Sequence, residues 1–313
     1  MTYAVGQNIA ATDFMGFRGA QGPGTAYPNS SAATNAVAAL VGVGYGSRGY
    51  GQTNVTLPSV ASGTVVSAAN WNDLFASMAI INTHTGSALT LPANVSAGAV
   101  IQADTGGARP NLPGLISTLD TNRLNYNITQ MGVHAELSDT RTTAWIGTIT
   151  HEFTQTFSSE DTARYFYNTG GQIYLSGSQT GGSGSHLDIA FATLLSQMGT
   201  IKIGALATTY TGTGGTAYPI GYYDLTGTFQ TLFTHHGSAY GYTGISYTVQ
   251  SRVENVAGLN GGNGTVVRTQ AIFATNLNSP SDVVDGNTNS TVQELIADAL
   301  SVSSPTYTTT ISL

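Results

Sequence analysis

His151-Glu152-Phe153 comes nearest in this chain to catalytic machinery. A zinc protease sets two histidines four residues apart on a helix to hold the metal, with a glutamate beside the first as base. Position 155 is Gln, so the second histidine is missing, and the flanking alternation is that of a strand. His151 falls on the apolar face with Ile149 and Phe153 and reads as a hydrogen-bonded core residue. His235-His236 is a second possible ligand pair. Adjacent strand residues point to opposite faces, so one chain cannot chelate one ion with both. A metal on an oligomer axis could take one from each copy; the plain reading is a strand end before Gly237. Asp285-Gly286-Asn287-Thr288-Asn289 begins like a calcium loop, but the sixth and twelfth positions hold Ser290 and Ile296 in place of Gly and Glu. Asp-Gly is more simply a tight turn. Glycoside hydrolysis needs two carboxylates about 5–10 Å apart, for which Glu152, Glu160, Asp161, Asp188 and Asp224 are the candidates. No Gly-x-Ser-x-Gly elbow or phosphate-binding loop occurs. These residues name no catalytic, cofactor or metal site, and the expectation is a protein that is not an enzyme.

The cations that remain invite a different chemistry. Only 8% of residues are charged, against about a quarter in an average domain, and the cations are Lys202 and eight arginines. Arg is the favoured cation at protein interfaces, being planar and able to bond a carboxylate through two hydrogens. Arg164, in Ala163-Arg164-Tyr165-Phe166, reads as a member of a buried or intersubunit ion pair. Arg141 follows Asp139, where an exposed pair would contribute under about 1 kcal/mol. Tyr165, Tyr167, Tyr174, Tyr222, Tyr223, Tyr240, Tyr242 and Tyr247 suit core and interface packing, and also sugar-binding surfaces.

Composition excludes several classes. A hydrophobic fraction of 41% and a net charge of −7 argue against disorder. Scarce Lys and Arg argue against nucleic acid as a partner. No apolar run reaches the roughly 20 residues of a membrane span, and Met1-Thr2-Tyr3-Ala4-Val5-Gly6 does not open a signal peptide. With no Cys there is no disulfide. A neutral surface rich in Gly, Ser, Thr and Asn points to a β-rich chain pressed against other subunits.

The pattern changes near residue 140. Before it lie short helical segments in Gly/Ala/Ser loops. The clearest begins at Ser67, a plausible N-cap, and brings Trp71, Leu74, Phe75, Met78 and Ile81 to one face. Ile9-Ala10-Ala11-Thr12-Asp13-Phe14 aligns with Val66-Ser67-Ala68-Ala69-Asn70-Trp71, and Phe17 falls where Leu74 does. Two related helical hooks thus flank a Gly-rich linker with Gly42-Val43-Gly44-Tyr45-Gly46 and Gly49-Tyr50-Gly51-Gln52. A third helix starts at Pro113 with Leu112, Leu115, Ile116 and Leu119. Such short helices need a partner or a second copy to bury their faces. Later, Trp145, Ile149, Phe153 and Phe157 alternate with Thr148, Thr150, Glu152, Thr154 and Thr156 as in a half-buried strand. Strands follow near Gln172–Ser176, Ile201–Ile203, Phe229–Phe233, Ile245–Val253 and Thr265–Phe273, interrupted by a helix carrying Phe191, Leu194, Leu195 and Met198. The expected fold is mainly β: an N-terminal adaptor region of short helices and Gly-rich linkers over 1–138, then an antiparallel β-sandwich of jelly-roll type over 139–313.

Three stretches carry a likeness. They are the paired hooks with Gly49-Tyr50-Gly51-Gln52 between them; Thr142 to His151 running on to Ala163-Arg164-Tyr165-Phe166-Tyr167-Asn168-Thr169-Gly170-Gly171-Gln172-Ile173; and Gly221-Tyr222-Tyr223-Asp224-Leu225. Through these the chain resembles virion structural proteins of tailed bacteriophages, the tail-fibre-like and neck proteins of marine and cyanobacterial phages. It departs at Gln179, where the family carries Arg, and at Met15-Gly16, where the second hook has Asn72-Asp73. The resemblance implies a place in the virion and assembly through the N-terminal region. It also implies a homotrimer bound to other virion proteins, with a host surface glycan as the alternative partner. Phe14, Phe17, Trp71, Leu74, Phe75, Arg141, Arg164 and Tyr165 are the expected assembly and docking residues.

Overall fold

The computed structural model describes residues 11–19, 37–52, 57–97, 112–275 and 282–313; Met1–Gly6 and Ile9-Ala10 of the first hook lie outside them. The fold is mainly β, with two antiparallel sheets facing each other. One sheet runs in the order β1 (Gly132–Arg141), β10 (Asn287–Ile296), β3 (Gln172–Thr180), β4 (Ile201–Ile203), β5 (Thr208–Tyr210). The other runs β11 (Thr306–Ser312), β2 (Thr148–Thr156), β9 (Val266–Ala274), β8 (Ser246–Glu254), β7 (Gln230–His236), β6 (Thr216–Ala217).

Strand β2 forms as its alternation requires. Ile149, His151, Phe153 and Gln155 point into the sandwich, while Thr150, Glu152 and Thr154 face outward. The core gathers Trp145, Phe153, Phe166, Tyr167, Phe191, Tyr222, Phe233, Tyr247 and Phe273. Helix α6 (His186–Met198) packs on β3 with Leu187, Phe191, Leu194, Leu195 and Met198 buried. Its N-cap Ser185 accepts the Asp188 N–H at 3.1 Å.

Five strands, β1, β5, β6, β10 and β11, are absent from the sequence pattern. β10 lies between β1 and β3, and its buried positions include Thr288, Ser290 and Glu294 beside Val292 and Ile296. These polar groups are bonded across the sandwich. Trp145 Nε1–H donates to Thr288 Oγ1 at 2.9 Å, His151 Nδ1 lies 3.0 Å from Ser290 Oγ, and Tyr307 Oη–H donates to Glu294 at 2.7 Å. The Asp285-Gly286 turn feeds this strand. β1 straddles the expected division at 138/139 and pairs with β10 along its length.

The N-terminal helices correct an expectation. They were expected to need a partner or second copy, yet within one chain α1 (Ala11–Arg18), α2 (Val37–Val41), α3 (Ala68–Thr85) and α4 (Leu112–Thr121) close a second core. The reason is α2, which lies in the stretch before the Gly-rich linker and is buried at every residue. Trp71 is the hub, with Phe14 edge-on at 5.2 Å and Phe17 at 6.1 Å, so the two hooks pack on each other. Ser67 caps α3 in a reciprocal capping box with Asn70. Arg18 reaches the Leu57 carbonyl with Nε at 3.0 Å and Nη2 at 2.9 Å.

Removing the hub opens a large cavity. Trp71→Ala is expected to lower unfolding free energy by about 3–5 kcal/mol, read by denaturant titration; a midpoint equal to wild type would show that the helical core does not depend on this ring.

Candidate functional site

Arg164, Tyr165, Tyr223 and the Gly49–Gln52 stretch converge where the helical unit meets the sandwich. At the centre is the turn Val43–Gly49, closed by the Arg48 N–H on the Tyr45 carbonyl at 3.1 Å. Gly44 has φ +56°, and a Cβ there would stand 2.1 Å from the Arg48 carbonyl oxygen, so the turn needs glycine. The turn presents its carbonyls to α5 (Glu160–Asn168).

Arg164, on α5, is fully buried and meets these carbonyls. Its Nε donates to Gly46 O at 3.1 Å, and Nη2 donates to Val43 O at 3.0 Å and Arg48 O at 2.9 Å. Nη1 bonds Asp161 Oδ1 at 2.7 Å. One helical turn on, Asn168 Nδ2 donates to Gly46 O at 3.0 Å and Gly49 O at 3.1 Å. Tyr223 Oη lies 2.6 Å from Gly46 O and 2.7 Å from Asn168 Oδ1, so its proton is shared between them. The Gly46 N–H meets Asn260 O at 2.8 Å. The turn is thus a fastened strap, where sequence alone indicated a linker.

Both sides hold the strap. From the helical unit, Arg48 Nε bonds Asp120 at 2.9 Å, and Arg123 Nε donates to Ser47 O at 3.0 Å. Tyr50 donates to Arg123 O at 2.6 Å and packs edge-on against His84 at 5.2 Å. His84 Nε2 reaches Thr169 O, beyond α5, at 2.8 Å. Burial raises the Tyr50 phenol's pKa and lowers that of the His84 imidazole, keeping both neutral. Gln52 Nε2 donates to Leu300 O at 2.9 Å. Gly51, at φ +71°, lies against the Tyr165 ring, where a Cβ would fall 2.3 Å from Cδ2. Burial, then the Asp161 carboxylate, push the Tyr165 phenol up to about 12.

Helix α5 is itself anchored at its start. Ser159 Oγ accepts the Thr162 N–H at 3.0 Å. The buried Glu160 carboxylate accepts backbone N–H groups from Ala257, Gly258, Leu259 and Gly264 at 2.5–3.1 Å. Burial raises its pKa, but these donors outweigh burial and hold it below the ordinary glutamate value. Asn260 Nδ2 bonds both oxygens of Asp161 at 3.1 and 3.0 Å.

The expected docking residues therefore divide. Phe14, Trp71, Leu74 and Phe75 are buried in the helical core and Phe17 is half-buried against it, which leaves the chain's own packing as their contact. Arg164 and Tyr165 join the two units of one chain. Arg141 stands apart, its Nε donating to Thr143 O at 3.1 Å, while Asp139 accepts the Thr309 hydroxyl; the Arg141–Asp139 pairing is not formed.

The catalytic candidates have structural partners. Glu152 takes Arg268 at 2.9 Å and Gln270 at 2.8 Å. Asp188 takes Gln179 at 2.6 Å and Ser185 at 3.0 Å, and Asp224 takes the Gly221 N–H at 3.2 Å. Asp285 takes the Ser183 N–H at 2.9 Å. His235 lies 3.1 Å from Gln197 Oε1 while His236 is exposed, so the two diverge. Among the described residues no group of three or more His, Cys, Asp or Glu is placed to hold a metal ion, and no helix is long and apolar enough to cross a membrane. Glu294, a fully buried acid of the sandwich, is one the sequence reading passed over.

Comparison of the chain with known protein families, curated sequences and solved structures finds no match.

Two predictions follow from this geometry. Arg164→Ala removes a donor from each of three carbonyls of the turn and the cationic partner from Asp161. A loss of about 3–5 kcal/mol in stability is expected, with faster proteolysis in the Val43–Gly49 turn. Arg164→Lys should recover little, because an ammonium cannot fork to separated acceptors; full recovery by Lys would refute the clamp. The second concerns His151, whose pKa burial lowers to about 4. The unfolded imidazole titrates near 6.5. Its stabilisation is complete above that pH and declines as pH falls to about 4, by on the order of 3 kcal/mol in all. Urea midpoints between pH 7 and 5 should fall in wild type and flatten in His151→Gln; parallel profiles would exclude His151 as the source.

Proposed function

We propose that this chain is a structural component of a tailed-phage virion: a non-enzymatic tail or neck fibre or appendage protein that docks through its N-terminal region and oligomerises. The observation that carries the reading is where the likeness-bearing segments meet. Gly49–Gln52, Ala163–Ile173 and Gly221–Leu225 are far apart in sequence, yet Gly49, Gly51, Arg164, Tyr165, Asn168 and Tyr223 lie together at the strap. The residues that carry the resemblance are those that fasten a helical unit to a sandwich, and an appendage must hold such units in fixed relation under mechanical load. The nested pairs β1·β10 and β2·β9 support a jelly-roll-like wrapping, to which β7 and β8 add a meander. Docking to neighbouring virion proteins falls to the outer surface of the helical unit, where Val65 stands exposed, because Phe14, Trp71 and Phe75 are already covered.

A second reading, a host-glycan module at a fibre tip, has one observation in its favour. Tyr240 is 58% exposed, sits at φ +53°, and stacks on His186 at 4.7 Å with 7° between planes. A left-handed backbone is costly for a bulky residue and marks positions held for a task, and a flat exposed ring suits the apolar face of a sugar.

Gold labelling of purified particles with antibody to this chain tests the main reading. Label at the tail or neck is expected, and its absence from particles would overturn the proposal. Label confined to a distal tip, with glycan retention lost in Tyr240→Ala, would favour the second.

A further inference from the structure

A sheet that ends in an unbonded strand is a template for another strand, and folds blunt such edges with short strands, bulges or charges. The two sheets end at β1, β5, β11 and β6. β5 and β6 have three and two residues. β1 is interrupted by a bulge between His134 and Glu136 and carries Asp139 and Arg141. β11 has none of these devices. It pairs with β2 in unbroken register from Thr306 to Ser312, contains no charged residue and no proline, and exposes Thr306, Thr308, Thr310 and Ser312. Among the described residues its backbone is bonded to β2 alone.

We infer that β11 pairs with β11 of a second copy of this chain, antiparallel and centred on Thr309, so that two sheets run on as one. The inference rests on the reading that the chain oligomerises. The occupant is fixed by self-complementarity. Centred on Thr309, the register sets Tyr307 against Ile311, Thr308 against Thr310, and Thr306 against Ser312. Aromatic–β-branched and Thr–Thr pairs are favourable cross-strand neighbours, and no like charges meet. A slip of one residue would set the inward Tyr307 opposite the outward Ser312 and turn one copy's core side to solvent. Antiparallel self-pairing uses the same patch on both copies and closes at two. It therefore builds pairs, in place of the threefold assembly that the family likeness implies.

The exposed positions supply a charge-swap test that leaves the fold alone. Thr308→Lys with Thr310→Lys sets two ammonium groups against two across the axis. Light scattering of the full chain should show wild type as a dimer and the double-lysine variant dissociated, with association at least tenfold weaker and the far-UV circular dichroism of the folded chain retained. Thr308→Lys with Thr310→Glu faces each cation with an anion in this register and should restore the dimer. Because the chain has no Cys, Thr308→Cys and Thr310→Cys proteins should form a disulfide dimer when mixed, and neither should do so alone. A wild-type oligomer indifferent to the double-lysine change would overturn the edge pairing and leave oligomerisation standing. A monomeric wild type would overturn both, while particle labelling tests virion location separately.

Discussion

One guanidinium holds this protein's two units in register. Arg164 is wholly buried, and of its acceptors only one is a carboxylate; the others are main-chain carbonyls of the Val43–Gly49 turn. A buried cation is stable only where paired charge and hydrogen-bond acceptors replace the water it has lost. The turn must therefore keep the shape that aims its carbonyls inward, which requires glycine at 44. Helix α5 must in turn stand where Arg164 can reach. The Ser159 cap and the four backbone donors on Glu160 fix it there. Asn168 and Tyr223 then share the Gly46 carbonyl with Arg164. The constraint passes from the helical unit through the strap to the loop 257–264, and no apolar packing could specify that register so narrowly.

The low charge content takes a definite meaning from these contacts. Arg48 and Arg123 both face Asp120, binding the strap to α4. Arg268 bridges Glu152 and Glu254, and Arg252 also meets Glu254, across the outer face of β2, β9 and β8. That second network is about one-third exposed at its arginines, so solvent screening limits what it adds to stability. Its value is in ordering strand neighbours. The buried Arg164 contact differs in kind, since water cannot replace a lost partner there.

Parts of this arrangement were legible in the sequence because they follow one rule at a time. β2 alternates, α3 has a cap and a helical stripe, and the strands near 201, 230, 246 and 266 carry apolar residues on their buried faces. β10 was not legible because Thr288, Ser290 and Glu294 occupy buried positions, so its inward face reads as polar. A strand of this kind is stable only when residues from the opposite sheet supply partners, and Trp145, His151 and Tyr307 come from elsewhere in the chain. α2 was hidden for the opposite reason: Val37–Val41 is buried on every side and too short to show a period. The start of α5 carried a usable signal, Ser159 followed by Glu160 and Asp161, which is the pattern of a capped helix with acids in its first turn. With that helix recognised, Arg164 and Asn168 fall four residues apart on one face. What lay beyond reach was the acceptor, because a row of carbonyls leaves no trace in side-chain types.

The hooks show how a motif can be read rightly as a pattern and wrongly as a surface. Aligning Phe14 with Trp71 treats the two as equivalent, each seeking a site on another subunit. Equivalent apolar residues in one chain are also the nearest partners available to each other, at an effective concentration no separate subunit can match. Phe14 takes that course and packs on Trp71 itself. Where a single chain can satisfy its own apolar groups it will do so first, and association is left to groups that folding cannot satisfy. Backbone N–H and C=O groups along a sheet edge are of that kind. A strand pairs on two sides, β11 has one neighbour among the described residues, and the polar atoms of its other side call for water or another strand.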